Sequence, residues 1–249
     1  MTDKLPTKLK KEPLIDALFE MRFTSVIPAS SVFPGVLFSK LPHDKTIERL
    51  PTEQLPKALL ESEPNLRFAP LVRLHWDKFL ISIGDRSLAV SCKMPYPGWG
   101  TFKPAILNVV EQLREIGIIQ AVHRFSMKYI DLIPASSPSD QVMAINGTVV
   151  LGNHKLKQEI FSLRVEIPKE GLLHAVQITS SATATLQDGS SREGIIVDID
   201  SISDLGSLDF GNWLERLPDQ LELMHLANKA MFFECLRPET IVSLEPIYE

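Results

Sequence analysis

Between Leu14 and Phe23 the chain alternates: Ile15, Ala17, Phe19, Met21 and Phe23 form one set, and Leu14, Asp16, Leu18, Glu20 and Arg22 the other. A period of two marks a half-buried strand, and the more apolar first set takes the core face. Strands are likewise predicted at Leu71–Trp76 and Phe79–Ile83, separated by Asp77-Lys78, a hairpin-length link that lacks the usual glycine. Gly84 to Ser87 makes a turn into a further strand, Leu88–Cys92. In a later strand, Val122–Ile133, Phe125, Met127, Tyr129 and Ile133 separate from Arg124, Ser126 and Lys128, which leaves a cationic outer surface.

Helical periodicity appears between these last two strands. Phe102, Ile106, Val109, Val110 and Leu113 share one face of a helix running from Thr101, a suitable N-cap, to Gly117, a suitable stop. Pro97-Gly98-Trp99 precedes it as a turn, with the indole placed to pin the loop. From Ile27 to Pro70, closely spaced prolines predict only short turns and loops.

After Pro134 the run to Asp140 reads as a linker. Beyond it Phe161, Leu163, Val165 and Ile167 alternate with Ser162, Arg164 and Glu166, and Leu172–Thr179 can return as a hairpin partner. The turn Asp188-Gly189 leads to a strand at Gly194–Ile202. A helical region follows, Phe210–Cys235, with two apolar stripes and Pro218 expected to divide it. The expected class is α+β: two related halves of mostly antiparallel sheet with packed helices, 1–134 and 135–249, compatible with one compact unit.

Composition narrows the class of function. The 249 residues carry a formal net charge of −5 and 44% hydrophobic residues, with a pI near 5.7. That is an ordinary globular balance with no global positive field for phosphate backbones. No apolar run reaches the ~18 residues of a membrane span, and the basic segment Met1–Lys11 lacks the apolar core of a signal peptide. A cytoplasmic protein with no membrane association is expected. Cys92 and Cys235 lack metal-like spacing and read as small hydrophobes.

Candidate chemistry is sparse. There is no P-loop, no dinucleotide fingerprint and no Gly-x-Ser-x-Gly elbow. Asp198 and Asp200 share one strand face about 7 Å apart, a spacing that suits a shared proton or metal, but further ligands are not identifiable. Glu222 and His225 stand three apart on a helix, without the second copy that a di-iron bundle needs. No catalytic residue, metal ligand or cofactor is therefore assigned. Tyr96 and Trp99 offer either a stacking platform or a loop anchor. Arg124, Lys128, Arg164, Asp198 and Asp200 give the outer sheet surface a mixed charge, which suits either solvent or a selective protein interface.

The segments Pro13–Phe23, Tyr96–Trp99, Arg124–Ile133, Asp198–Asp200, His225–Glu239 and Leu244–Tyr248 fall in an order that resembles a sporadically distributed, uncharacterised family of bacterial and archaeal proteins of this length, roughly 250 residues. Lys128-Tyr129 and Asp131 stand where that family more often has Arg-Tyr and Asn. The resemblance implies a prokaryotic source and a patchy distribution like that of defence-associated genes, and supplies no activity. The expected function is a non-enzymatic binding or adaptor protein for a macromolecular partner, in a defence-associated or toxin–antitoxin-like locus. A protein partner is favoured over nucleic acid, and a homo-oligomer is compatible with the pattern. The alternative is a binding protein or enzyme acting on nucleotides or nucleic acid.

Overall fold

The computed structural model describes residues 5–64, 66–185, 189 and 191–248. In chain order the elements begin with β1 (Lys8–Leu9), β2 (Leu14–Ser25), α1 (Phe33–Lys40), β3 (Lys45–Arg49) and α2 (Lys57–Ser62). The chain continues through β4 (Val72–Trp76), β5 (Phe79–Ile83), β6 (Ser87–Cys92), α3 (Trp99–Arg114), β7 (Ile119–Pro134) and α4 (Pro138–Ala144). It ends with β8 (Val150–Leu151), β9 (His154–Lys155), β10 (Ser162–Lys169), β11 (Leu172–Thr185), β12 (Ser191–Asp209), α5 (Phe210–Cys235), α6 (Pro238–Ser243) and β13 (Pro246–Ile247).

The class is α+β. Nine strands form an antiparallel sheet in the order β10-β11-β12-β7-β2-β6-β5-β4-β3. The ends of β2 and β7 show their direction: Leu132 N donates to Pro13 O at 2.8 Å, and Val26 N donates to Ile118 O at 3.0 Å. Contacts group the chain into two compact units, 1–16 with 128–201 and 225–249, and 17–127 with 202–224. These do not coincide with the sequential halves 1–134 and 135–249, because β2, β7, β12 and α5 each contribute residues to both units.

In the unit of residues 17–127 and 202–224 the alternation of β2 appears as read, with Ala17, Phe19, Met21 and Phe23 at most 1 % exposed. The hairpin β4–β5 forms in the expected register, Trp76 opposite Phe79, and Asp77 takes the positive φ that a glycine would normally supply. Phe102, Ile106, Val109, Val110 and Leu113 of α3 are buried. That helix starts two residues before Thr101, because Gly98 at φ 86° turns the chain and its carbonyl accepts from both Thr101 N and Phe102 N. The Pro-rich region holds short elements as expected, and also the strand β3. Its run Lys-Thr-Ile-Glu-Arg pairs only with β4 at the sheet margin, so it carries no buried alternation to reveal it.

In the other unit β10 and β11 form a hairpin closed by Glu170 and Gly171, both at positive φ, as a tight two-residue turn requires. Gly194 lets β12 approach β7: a Cβ there would lie 2.1 Å from Ile133 O. Val176, Ile178, Ile195, Val197, Ile199, Met231 and Phe233 build the core.

Two expectations need correction. The segment after Pro134 contains α4: Pro138 occupies its first turn and Ser137 Oγ accepts from Asp140 N at 3.1 Å, a capped helix start that read as linker because its residues are small and polar. α5 is unbroken from Phe210 to Cys235 with Pro218 inside it. A proline removes one helical hydrogen bond and bends a helix, but packing of the flanking turns can hold it. Leu217 and Leu221, on either side of Pro218, are fully buried. The predicted turn residue Asp188 lies outside the described residues.

Candidate functional site

The loop before α3 is anchored where the sequence placed its aromatics. Trp99, the first residue of α3, is half-buried, and its indole N–H donates to Glu222 Oε2 at 3.1 Å. Lys103 Nζ donates to the same oxygen at 2.8 Å. Tyr96 and Trp99 both make T-shaped contacts with the buried Phe102, at centroid distances of 6.2 and 6.3 Å. In the same unit Arg22 pairs with Glu20 at 2.6 Å, and Arg124 is half-buried on β7.

The other candidate residues lie in the unit that contains residues 128–201. Lys128 on β7 pairs with Asp198 on β12 at 2.8 Å, and Asp200 follows two residues later, half-buried. Arg164 sits on β10 and pairs with Glu166 of its own strand at 3.0 Å. The structure thus joins Tyr96 with Trp99 around one ring and Lys128 with Asp198, and gives Arg164 a separate partner. Among the described residues no cluster of three or more His, Cys, Asp or Glu side chains could hold a metal ion. Of the Glu-x-x-His pair, Glu222 accepts from Trp99 and Lys103, and His225 Nδ1 lies 3.0 Å from Tyr129 Oη.

Sequence reasoning missed a buried polar cluster in this unit. His174 Nδ1 lies 2.9 Å from Ser201 Oγ, and the Asn228 side-chain amide donates to Ser201 Oγ at 2.8 Å and to Ile199 O at 2.9 Å. All three residues are at most 2 % exposed. One assignment satisfies these contacts: Ser201 donates to a neutral imidazole while accepting from Asn228. Burial, foremost, and Lys169 hold the His174 pKa below its usual value, in agreement with the neutral form. A serine beside a histidine suggests a nucleophile, but full burial makes this pair a positioning network between β11, β12 and α5. The only sequence signals were polar residues inside apolar stripes.

Asp131 on β7 is also buried, and burial, reinforced by Glu12, pushes its pKa well above the usual carboxylate value. Its own strand marked it as apolar-facing, beside Tyr129 and Ile133.

The same unit contains a groove of about 380 Å³, within the range of roughly 300–1,000 Å³ for small-ligand sites. Its floor is apolar, from Leu163, Val165 and Ile167 of β10, Val176 and Ile178 of β11, and Met231 of α5. Lys155, Glu234 and Arg237 stand at its margin. Glu234 is paired with Lys169 at 2.6 Å, and Arg237 Nε donates to Ile145 O at 3.1 Å. Cys235 lines the groove, and burial, with Glu234 nearby, pushes its thiol up to about 11. The groove therefore offers an apolar surface and no thiolate nucleophile. Beside it in sequence lie Leu151 and Ile160, 67 % and 76 % exposed. Compared with protein-family models and with curated proteins, the chain shows no match. No described helix is long and apolar enough to cross a membrane.

Proposed function

We propose that this chain is a non-enzymatic binding protein whose groove at β10 and β11 receives apolar side chains of a protein partner. The observation that carries the reading is the apolar floor of that groove, together with the exposed Leu151 and Ile160 of the same unit. A mostly apolar concave site of this size is suited to receiving a ligand or a partner's side chains. The charges support a protein over a nucleic acid. Lys128 is matched by Asp198 and Arg164 by Glu166, and matched charges select a partner more than they attract phosphate. The resemblance to a patchily distributed family favours a cytoplasmic partner encoded in the same, defence-associated or toxin–antitoxin-like, locus.

The test is co-expression with the products of neighbouring genes, using the native chain and the Leu151→Asp/Ile160→Asp variant. The expected result is a complex with one neighbour that the variant loses while its far-ultraviolet spectrum is unchanged. Submicromolar binding to DNA or RNA that weakens steeply with salt, and is lost in Arg124→Ala/Lys128→Ala/Arg164→Ala, would overturn the reading in favour of the nucleic-acid alternative.

A further inference from the structure

β10 ends the sheet. It pairs with β11 alone, from Ser162 opposite Thr179 to Lys169 opposite Leu172, so its other edge has no strand beside it among the described residues. An unpaired edge is a template for another chain, and proteins usually blunt it with a central proline, a lysine or a bulge. Pro168 and Lys169 occupy only the end of β10 next to its turn. From Ser162 to Ile167 the edge has no proline, lysine or bulge; its two charges, Arg164 and Glu166, are of opposite sign, and Arg164, Val165 and Glu166 are all exposed.

This segment is complementary to itself. In an antiparallel pair with a second copy, directly opposed side chains share a face. With the twofold axis at Val165, that residue meets the partner's Val165, Leu163 meets the partner's Ile167, and Arg164 meets the partner's Glu166. The arrangement is isologous, so each unlike pair occurs twice. Other registers are worse. An axis at Arg164 opposes two arginines, an axis at Glu166 opposes two glutamates, and a one-residue slip sets Arg164 against an apolar side chain. The apolar pairs lie on the face that floors the groove, where Val165 is 42 % exposed. The charged pairs lie on the opposite face, where Arg164 and Glu166 now pair with each other at 3.0 Å.

We propose that β10 pairs antiparallel with β10 of a second copy, in the register centred on Val165, to form a symmetric dimer.

Sedimentation velocity of the full chain between about 1 and 200 µM tests this, the range in which a short strand contact, Ser162 to Pro168, with few other buried groups should associate. Arg164→Glu and Glu166→Arg are the informative variants, because both side chains are more than half exposed and neither change should disturb folding. The expected results are a native dimer, a dissociation constant raised at least about tenfold in each single variant, and recovery of the dimer when the two variants are mixed, since every opposed pair is then again of unlike charge. Thermal melts of each variant provide the folding control. A native chain that stays monomeric throughout, single variants that dimerise as well as the native chain, or a mixture that does not recover would each overturn the proposal.

Discussion

Trp99 and Glu222, 123 positions apart, are joined by a hydrogen bond from the indole N–H to Oε2 at 3.1 Å. Lys103 reaches the same oxygen at 2.8 Å, so the carboxylate ties together the first residue of α3 and the residue one turn further on. A charged acceptor strengthens the indole bond, and the ring also makes a T-shaped contact with Phe102.

Trp99→Ala should therefore cost about 2–3 kcal/mol, the sum of partial ring burial and one charge-assisted bond, below the range for a fully buried aromatic. Trp99→Phe keeps the ring contact and should cost about 1 kcal/mol. Urea titration of the two variants separates the contributions. A Trp99→Ala midpoint equal to that of the native chain would show that the loop is held by other contacts.

The anchored loop was legible because its turn signal, aromatic and apolar helix face lie in one short segment; its distant carboxylate partner, Glu222, was not. The hairpin β4–β5 and the buried set of β2 were legible for the same reason, since periodicity is a local property. The pairing of Lys128 with Asp198 depends on which residues of β7 and β12 fall opposite, and register is set by the folded sheet rather than by either strand alone. The cluster of His174, Ser201 and Asn228 needed three distant elements at once. β3 and α4 were hidden differently. Marginal elements bury little, so polar side chains mask them, and in α4 the proline that opens the helix reads as a breaker.

Asp131 provides a pH-dependent test. Its folded pKa is raised by burial, and next by Glu12, so the folded protein holds a proton that the unfolded chain releases above about 3.9. Stability from this group is full below that value and declines as pH rises towards the folded value. Lys229 and Lys8 act on the adjoining Glu12, whose own pKa is raised by burial. Asp131→Asn removes the titration and should melt higher than the native chain at pH 8, with the difference shrinking towards pH 4. A difference that does not change with pH would show that Asp131 ionises normally.

Cys235 should be slow to react although it lines the groove. With its thiol pushed up to about 11 by burial and Glu234, the thiolate fraction at pH 8 is roughly two orders of magnitude below that of a free cysteine. Alkylation by iodoacetamide, followed by mass spectrometry of the intact chain, should show a correspondingly slow modification of Cys235. Replacement of Glu234 by Gln removes the smaller of the two causes and should accelerate it only modestly. Labelling as fast as for an unfolded control would contradict the buried, protonated thiol.

The His174 network makes the sharpest prediction for stability. The imidazole is held neutral mainly by burial and also by Lys169, against the opposing influence of Glu170 and Glu234. The unfolded chain therefore takes up a proton near the ordinary value of about 6.5 before the folded one does. Stability from His174 is full above that value and falls as pH drops towards the folded value. His174→Gln, which retains a side-chain acceptor, should flatten the slope of unfolding free energy between pH 7.5 and 5. Ser201→Ala removes the donor to Nδ1 and one acceptor of Asn228, and should cost about 1–3 kcal/mol at pH 7.5, as expected when buried polar groups lose a partner. Once Ser201 is gone, Asn228→Ala should cost less than it does in the native chain, because its bond to Ser201 has already been lost. Urea unfolding of the single and double variants measures that coupling, and purely additive costs would dissolve the network into independent contacts.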